Sequence, residues 1–155
     1  MYGGSVALSG ATVVALALVS AGSLAADASL ASNRALWMSA DVTAYRYTYE
    51  KYCECHKDAP AQTTVTVENN RVTRVGYRPA GYSSVLQVPE RNYRWYWTVD
   101  GLFALLEAAT RRGARVEVSY DTELGYPRHL HIDYDRSMVG EEVDVRVLRL
   151  EPDVQ

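Results

Sequence analysis

The sequence predicts an α+β domain: an antiparallel sheet of about six strands with two helices, in the order helix, three strands, helix, three strands. Three observations carry this. Apolar and polar residues alternate with period two in several short segments, the first holding Tyr45, Tyr47 and Tyr49. Two other stretches repeat their apolar residues at helical spacing. Asn, Gly and Pro punctuate the chain between them. The domain occupies residues 26–155, behind an apolar segment at 1–25.

Each element has a local reason. Residues 29–40 (SLASNRALWMSA) are good helix formers and bring Leu30, Leu36 and Trp37 near one face. From Val42 the period changes to two, with Arg46, Thr48 and Glu50 opposite the tyrosines. This strand runs into Tyr52-Cys53-Glu54-Cys55-His56, and a polar loop with Pro60 follows. Residues 63–68 (TTVTVE) form a second strand with Val65 and Val67 inward. Asn69-Asn70 turns the chain, because Asn tolerates positive φ, and 71–77 pairs back as a third strand.

Residues 78–91 hold two prolines and a glycine and read as a long connection. Thr98 suits the N-cap of a helix over 99–112, with Asp100 in its first turn, Arg111 and Arg112 in its last, and Gly113 at C′. Its buried side is Leu102, Phe103, Leu105, Leu106 and Ala109. Three strands follow, marked by Val116, Val118 and Tyr120, by Leu130, Ile132 and Tyr134, and by Val143, Val145 and Val147. Residues 121–128, with Gly125 and Pro127, turn the first of these into the second.

The segment before the domain carries no Asp, Glu, Lys, Arg or His up to Ala26. Its densest apolar run, 13–19, has the length of a signal-peptide core, and Ser23-Leu24-Ala25 offers small residues for cleavage after Ala25. The alternative is an uncleaved anchor, since 6–26 matches the roughly 20 residues that span a bilayer. Either way the domain is exported, to the periplasm, the cell surface or the medium, and meets a membrane only through this segment if it stays uncleaved.

Composition excludes some functions. A net charge of −3 argues against a nucleic-acid surface, which calls for a basic patch. Twelve Tyr against one Phe suggests a thin domain whose aromatic rings keep a polar end near water or a partner. There is no Gly-x-Ser-x-Gly, no His-Glu-x-x-His, no phosphate-cradling glycine loop and no Cys-x-x-Cys. Nothing points to catalysis.

Four groups of residues could carry a function. Cys53 and Cys55 form a strained local disulfide, a pair of small buried thiols, or a redox or metal-binding pair. With His56, and with His129 and His131 on one face of a later strand, they make a soft donor set for zinc or copper. His129 and His131 are otherwise ordinary solvent-facing residues. Asp121, Glu123, Asp133, Asp135, Glu141 and Glu142 make a solvated acidic edge or a hard-cation site. Tyr45, Tyr47 and Tyr49, with Tyr93, Trp95 and Trp97, make either a stacking platform for sugar or peptide, or inward strand positions filling a core short of Phe.

Trp37, Tyr45 and Tyr47, Cys53 and Cys55, the hairpin through Val67 and Val72, Asp100 and Phe103 come in a distinctive order. Asp121, Gly125, Tyr126, Pro127, Leu130, Ile132 and Asp133 complete it. Taken together they resemble a bacterial family known as domain of unknown function 6174. The resemblance implies an exported or lipid-anchored small protein, and no chemistry. Two departures stand out: Asn69-Asn70 replaces an Asn-Gly turn, and the later acidic cluster is reduced to Gly140-Glu141-Glu142.

The reading that results is an exported accessory domain, non-enzymatic and without a cofactor, binding an unknown protein or small ligand. Its candidate ligand surface is Tyr45, Tyr47, Trp95, Trp97, Asp121, Tyr126 and Asp133. The alternative is a thiol-based metal-binding or redox protein acting through Cys53 and Cys55.

Overall fold

A computed structural model describes residues 21–52, 62–79, 81–135, 137–138 and 140–153. The sheet has seven strands: β1 (Ala44–Tyr52), β2 (Gln62–Glu68), β3 (Arg71–Arg78), β4 (Leu86–Gln87), β5 (Arg115–Tyr120), β6 (Pro127–Asp133) and β7 (Val143–Pro152). Helix α1 spans Ala21–Ser39 and α2 spans Val99–Arg111. In space the strands run β4-β3-β2-β1-β7-β6-β5, and neighbours are antiparallel throughout. The first and last strands therefore meet at the centre and join two hairpin-linked halves.

The α+β class and both helices agree with the sequence, and the strand count does not. The additional strand is β4, two residues paired with Gly76 and Tyr77 in what the sequence presents as connection. Gly76 permits this approach: a Cβ there would lie 2.9 Å from a methyl carbon of Val85. Helix α1 also begins earlier than its apolar spacing suggests and runs through Ala25 and Ala26. Residues 1–20, most of the apolar segment, lie outside the described residues.

The turns obey their residues. Asn69 and Asn70 take φ of 51° and 56°, the left-handed pair that a tight hairpin requires. Thr98 caps α2 by accepting the Gly101 N–H at 3.0 Å, and Gly113 follows the helix with φ of 74°. Between Pro89 and Tyr96 the alternation of aromatic residues misleads. Glu90–Trp95 is a 3₁₀ turn, not strand, with Pro89 setting φ at −61° and its carbonyl accepting from Asn92 at 2.9 Å.

Both helices cover one face of the sheet. The core unites Tyr45, Tyr47, Val65, Val67, Leu130, Ile132, Val145 and Val147 from the strands with Trp37, Leu102, Phe103 and Leu106 from the helices. Trp37 meets Tyr45 edge to face, ring centres 5.4 Å apart, and Tyr126 at 6.4 Å. The Tyr45 hydroxyl accepts the Val99 N–H at 2.7 Å, and the Tyr47 hydroxyl donates to the Trp97 carbonyl. The other face is polar and open, with Thr48 and Thr64 hydroxyls bonded across β1 and β2 at 3.0 Å.

Tyr45→Phe leaves the buried Val99 N–H without an acceptor and should cost about 1–3 kcal/mol. Tyr49→Phe, whose hydroxyl holds no hydrogen bond among the described residues, should cost less than Tyr45→Phe. Equal shifts of the urea midpoint in the two variants would refute this role for the Tyr45 hydroxyl.

Candidate functional site

The residues singled out in the sequence disperse. Cys53, Cys55 and His56 lie outside the described residues; β1 ends at Tyr52, immediately before them. Tyr45 and Tyr47 are each 1 % exposed, and Tyr126 is buried as well. No ligand can stack on these rings, and the reading of them as ligand surface is corrected: strand alternation turns Tyr45 and Tyr47 toward the helices, and Tyr126, in the β5–β6 turn, packs on Trp37.

Asp121 and Tyr126 have structural duties. The Asp121 carboxylate accepts the N–H groups of Glu123 at 3.0 Å and Leu124 at 2.9 Å, and its backbone N–H donates to the Tyr126 carbonyl at 2.8 Å. Gly125 has φ of 76° in this turn, and a Cβ there would lie 2.4 Å from the Asn33 carbonyl oxygen. The β5–β6 turn thus seats against α1 through a position that only glycine fits. Asp133 is half-buried at the end of β6, opposite Arg115, with one carboxylate oxygen enclosed and lacking a hydrogen-bond partner among the described residues.

His129 and His131 sit on the open face of β6. Both reach the same carboxylate oxygen of Asp144 on β7, through Nε2 at 3.2 Å and Nδ1 at 3.5 Å. His131 pairs with Asp144 and Asp144 pairs with Tyr52, so these three positions share one row across β6, β7 and β1. Among the described residues no three His, Cys, Asp or Glu side chains are placed to hold a metal ion. Two more of the acidic residues are engaged locally: Asp135 accepts from the Ser137 hydroxyl at 2.6 Å and N–H at 2.9 Å, which holds its carboxyl below the usual range. Glu142 accepts the Gly140 N–H at 3.0 Å.

What remains of the aromatic series makes a site. Trp95 is 66 % exposed, with the Arg94 guanidinium 5.0 Å over its ring. Trp97 is half-buried, and the Lys51 ammonium lies 4.9 Å from its ring centre. Burial lowers the pKa of that lysine. Tyr93, Tyr96 and Trp97 line an open hollow of about 350 Å³ between the start of β3 and the start of α2, rimmed by Arg71 and Arg94. Neither arginine is ion-paired among the described residues. The hollow offers aromatic faces for a flat ligand and two guanidinium forks for an anionic group. Arg71, Arg94 and Tyr96 were not singled out by sequence reasoning. The interleaving of Arg with aromatic residues in 91–97 was their signal, but Arg71 enters only through the hairpin.

Among the described residues no helix is long and apolar enough to cross a membrane. The model of a family of unknown function, DUF6174, matches residues 29–152, and the chain belongs to that family. None of the curated proteins compared with the chain matches it.

The core tyrosines also set an alkaline limit. Burial raises the hydroxyl pKa of Tyr45, Tyr47 and Tyr49, and pushes that of Tyr120 up to about 12. The unfolded chain releases these protons near pH 10 while the folded chain keeps them. Unfolded protein then binds fewer protons, so their contribution to stability is complete below about pH 10 and falls as pH rises beyond it. Urea midpoints should therefore drop from about pH 10 upward. An undiminished midpoint at pH 11 would contradict the burial of these hydroxyls.

Proposed function

We propose that this member of the DUF6174 family is an exported, non-enzymatic accessory domain that binds a small ligand or a peptide segment of a partner protein. Export rests on the uncharged apolar stretch before Asp27, with its small residues at 23–25. The observation that carries the binding reading is the hollow lined by Tyr93, Tyr96 and Trp97 and rimmed by two arginines that have no ion-pair partner among the described residues. Trp95, exposed next to Arg94 on the rim, adds a further aromatic surface beside the hollow. The ligand that fits is flat and apolar on one side and carries a carboxylate or similar anion. Stacking on the aromatic faces holds its body, and Arg71 and Arg94 hold its charge.

Benzoate serves as the minimal probe. Its titration should shift the indole signals of Trp95 and Trp97 in an ¹H–¹⁵N spectrum and leave that of Trp37 in place. Replacing both arginines, as Arg71→Gln with Arg94→Gln, should weaken this binding about tenfold, the equivalent of 1.4 kcal/mol. Indole signals that stay unmoved, or an affinity indifferent to the two arginines, would remove the hollow as the site.

A second reading is favoured by one register. Tyr52 is the residue before Cys53, and it shares a row with Asp144 and His131. A zinc or copper ion bound by Cys53 and Cys55, with His56, His129 or His131, is the chemistry this adjacency supports. Under this reading the native protein retains metal in its mass spectrum, and the double variant Cys53→Ser, Cys55→Ser loses it. A denatured mass two hydrogens light, with no thiol open to alkylation, indicates a Cys53–Cys55 bridge and ends the metal reading.

A further inference from the structure

The open face of the sheet carries a second site of different chemistry. Pairing between β6 and β7 stops at His129 and Arg146. On the other side of β6, the β5 register shifts between Ser119 and Tyr120. Along β7 the pairing with β1 shifts at Thr48 and Tyr49, which leaves Leu148 without an opposite residue. Two irregularities and the end of one ladder coincide in the same part of the sheet. A hollow of about 560 Å³ opens there, lined by Ser119, Arg128, His129, Arg146 and Leu148.

Ser119, Arg128 and Arg146 bring hydrogen-bond donors to this hollow. Ser119 pairs with His129 and His129 with Arg146, so the three share one row across β5, β6 and β7. Arg128 is exposed beside them. Neither Arg128 nor Arg146 is ion-paired among the described residues. The His129 ring is tethered through Nε2 to Asp144 at 3.2 Å. Two carboxylates stand nearby. Asp144 is engaged by both histidines, and Glu50, opposite Arg146 on β1, accepts the Tyr52 hydroxyl at 2.8 Å. Neither belongs to the lining of the hollow.

We infer that this hollow binds the phosphate group of a phosphate monoester, with Arg128 and Arg146 as its main anchors. Two guanidinium forks and a hydroxyl stand together as donors from three strands, which suits an anion with several acceptor oxygens. A carboxylate has only two oxygens and uses fewer of them. Leu148, 40 % exposed at the rim, gives the organic part of the ester an apolar surface. The site is separate from the aromatic hollow and stands or falls without it.

The test uses the full chain with three probes: phenyl phosphate, inorganic phosphate, and phosphatidylcholine vesicles with and without phosphatidic acid. Acetate is the control. Phenyl phosphate should bind more tightly than acetate by tenfold or more, and more tightly than inorganic phosphate. Arg128→Gln with Arg146→Gln, two exposed positions, should lower that affinity at least tenfold with the urea midpoint nearly unchanged. Arg71→Gln with Arg94→Gln should leave it in place. Binding to the phosphatidic acid vesicles alone, lost in the same Arg128 and Arg146 variant, would identify the source of the phosphate as a lipid. Binding of none of the probes, acetate matching phenyl phosphate, or binding indifferent to Arg128 and Arg146 would overturn the inference.

Discussion

Two tyrosine hydroxyls join the sheet to its helical layer. Tyr45 and Tyr47 stand on the central strand with their rings in the core, and their hydroxyls meet the backbone on either side of Thr98, at Val99 and Trp97. A helix start carries orphan N–H groups, and a buried one is costly unless an acceptor reaches it. Tyr45 supplies that acceptor from below while Thr98 supplies another from within the chain. The position of α2 along the sheet follows from these bonds, and so does the placing of Trp97 at the edge of the aromatic hollow. This gives a physical reason for Tyr in place of Phe at positions 45 and 47. A phenylalanine would fill the same space and leave the helix start unheld.

The second half of the chain is bracketed to the first by a turn. Asp121 folds the β5–β6 connection on itself, Gly125 lets that turn touch the α1 backbone, and Tyr126 packs on Trp37. Trp37 in turn packs on Tyr45, so the first helix, the central strand and this turn share one aromatic junction. Trp37, Tyr45, Asp121, Gly125 and Tyr126, residues on which the resemblance to the family rests in the sequence, all lie at that junction. Folding accounts for these residues, and the two arginine-bearing hollows lie apart from them.

Much of the fold was legible because local rules and burial agree. The period of two in 45–49 and 63–68, the Asn69-Asn70 turn, and Thr98 and Gly113 at the two ends of α2 each describe what their own segment does. Legibility failed where a segment's conformation depends on a distant neighbour. Leu86 and Gln87 form a strand only because Gly76 lets Val85 come close, and nothing within 81–87 announces it. The aromatic residues of 93–97 alternate like a strand, yet Pro89 starts a 3₁₀ turn that leaves Trp95 outside. Asp121 and Tyr126 drew attention as ligand residues because a turn aspartate and a binding aspartate look alike in sequence.

By itself the sequence determined the class, the two helices, the inward faces of the long strands and the turn chemistry, because propensity, capping and periodicity act over a few residues. The tertiary structure decided what those faces meet. The pairing of β1 with β7 brings Tyr52 into the row of Asp144 and His131, across about ninety residues of chain. The hairpin carries Arg71 to Tyr96 and Trp97, and the end of the β6–β7 ladder gathers Arg128, Arg146 and Ser119. Strand order and register make these meetings, and both arise from long-range pairing that no local pattern encodes.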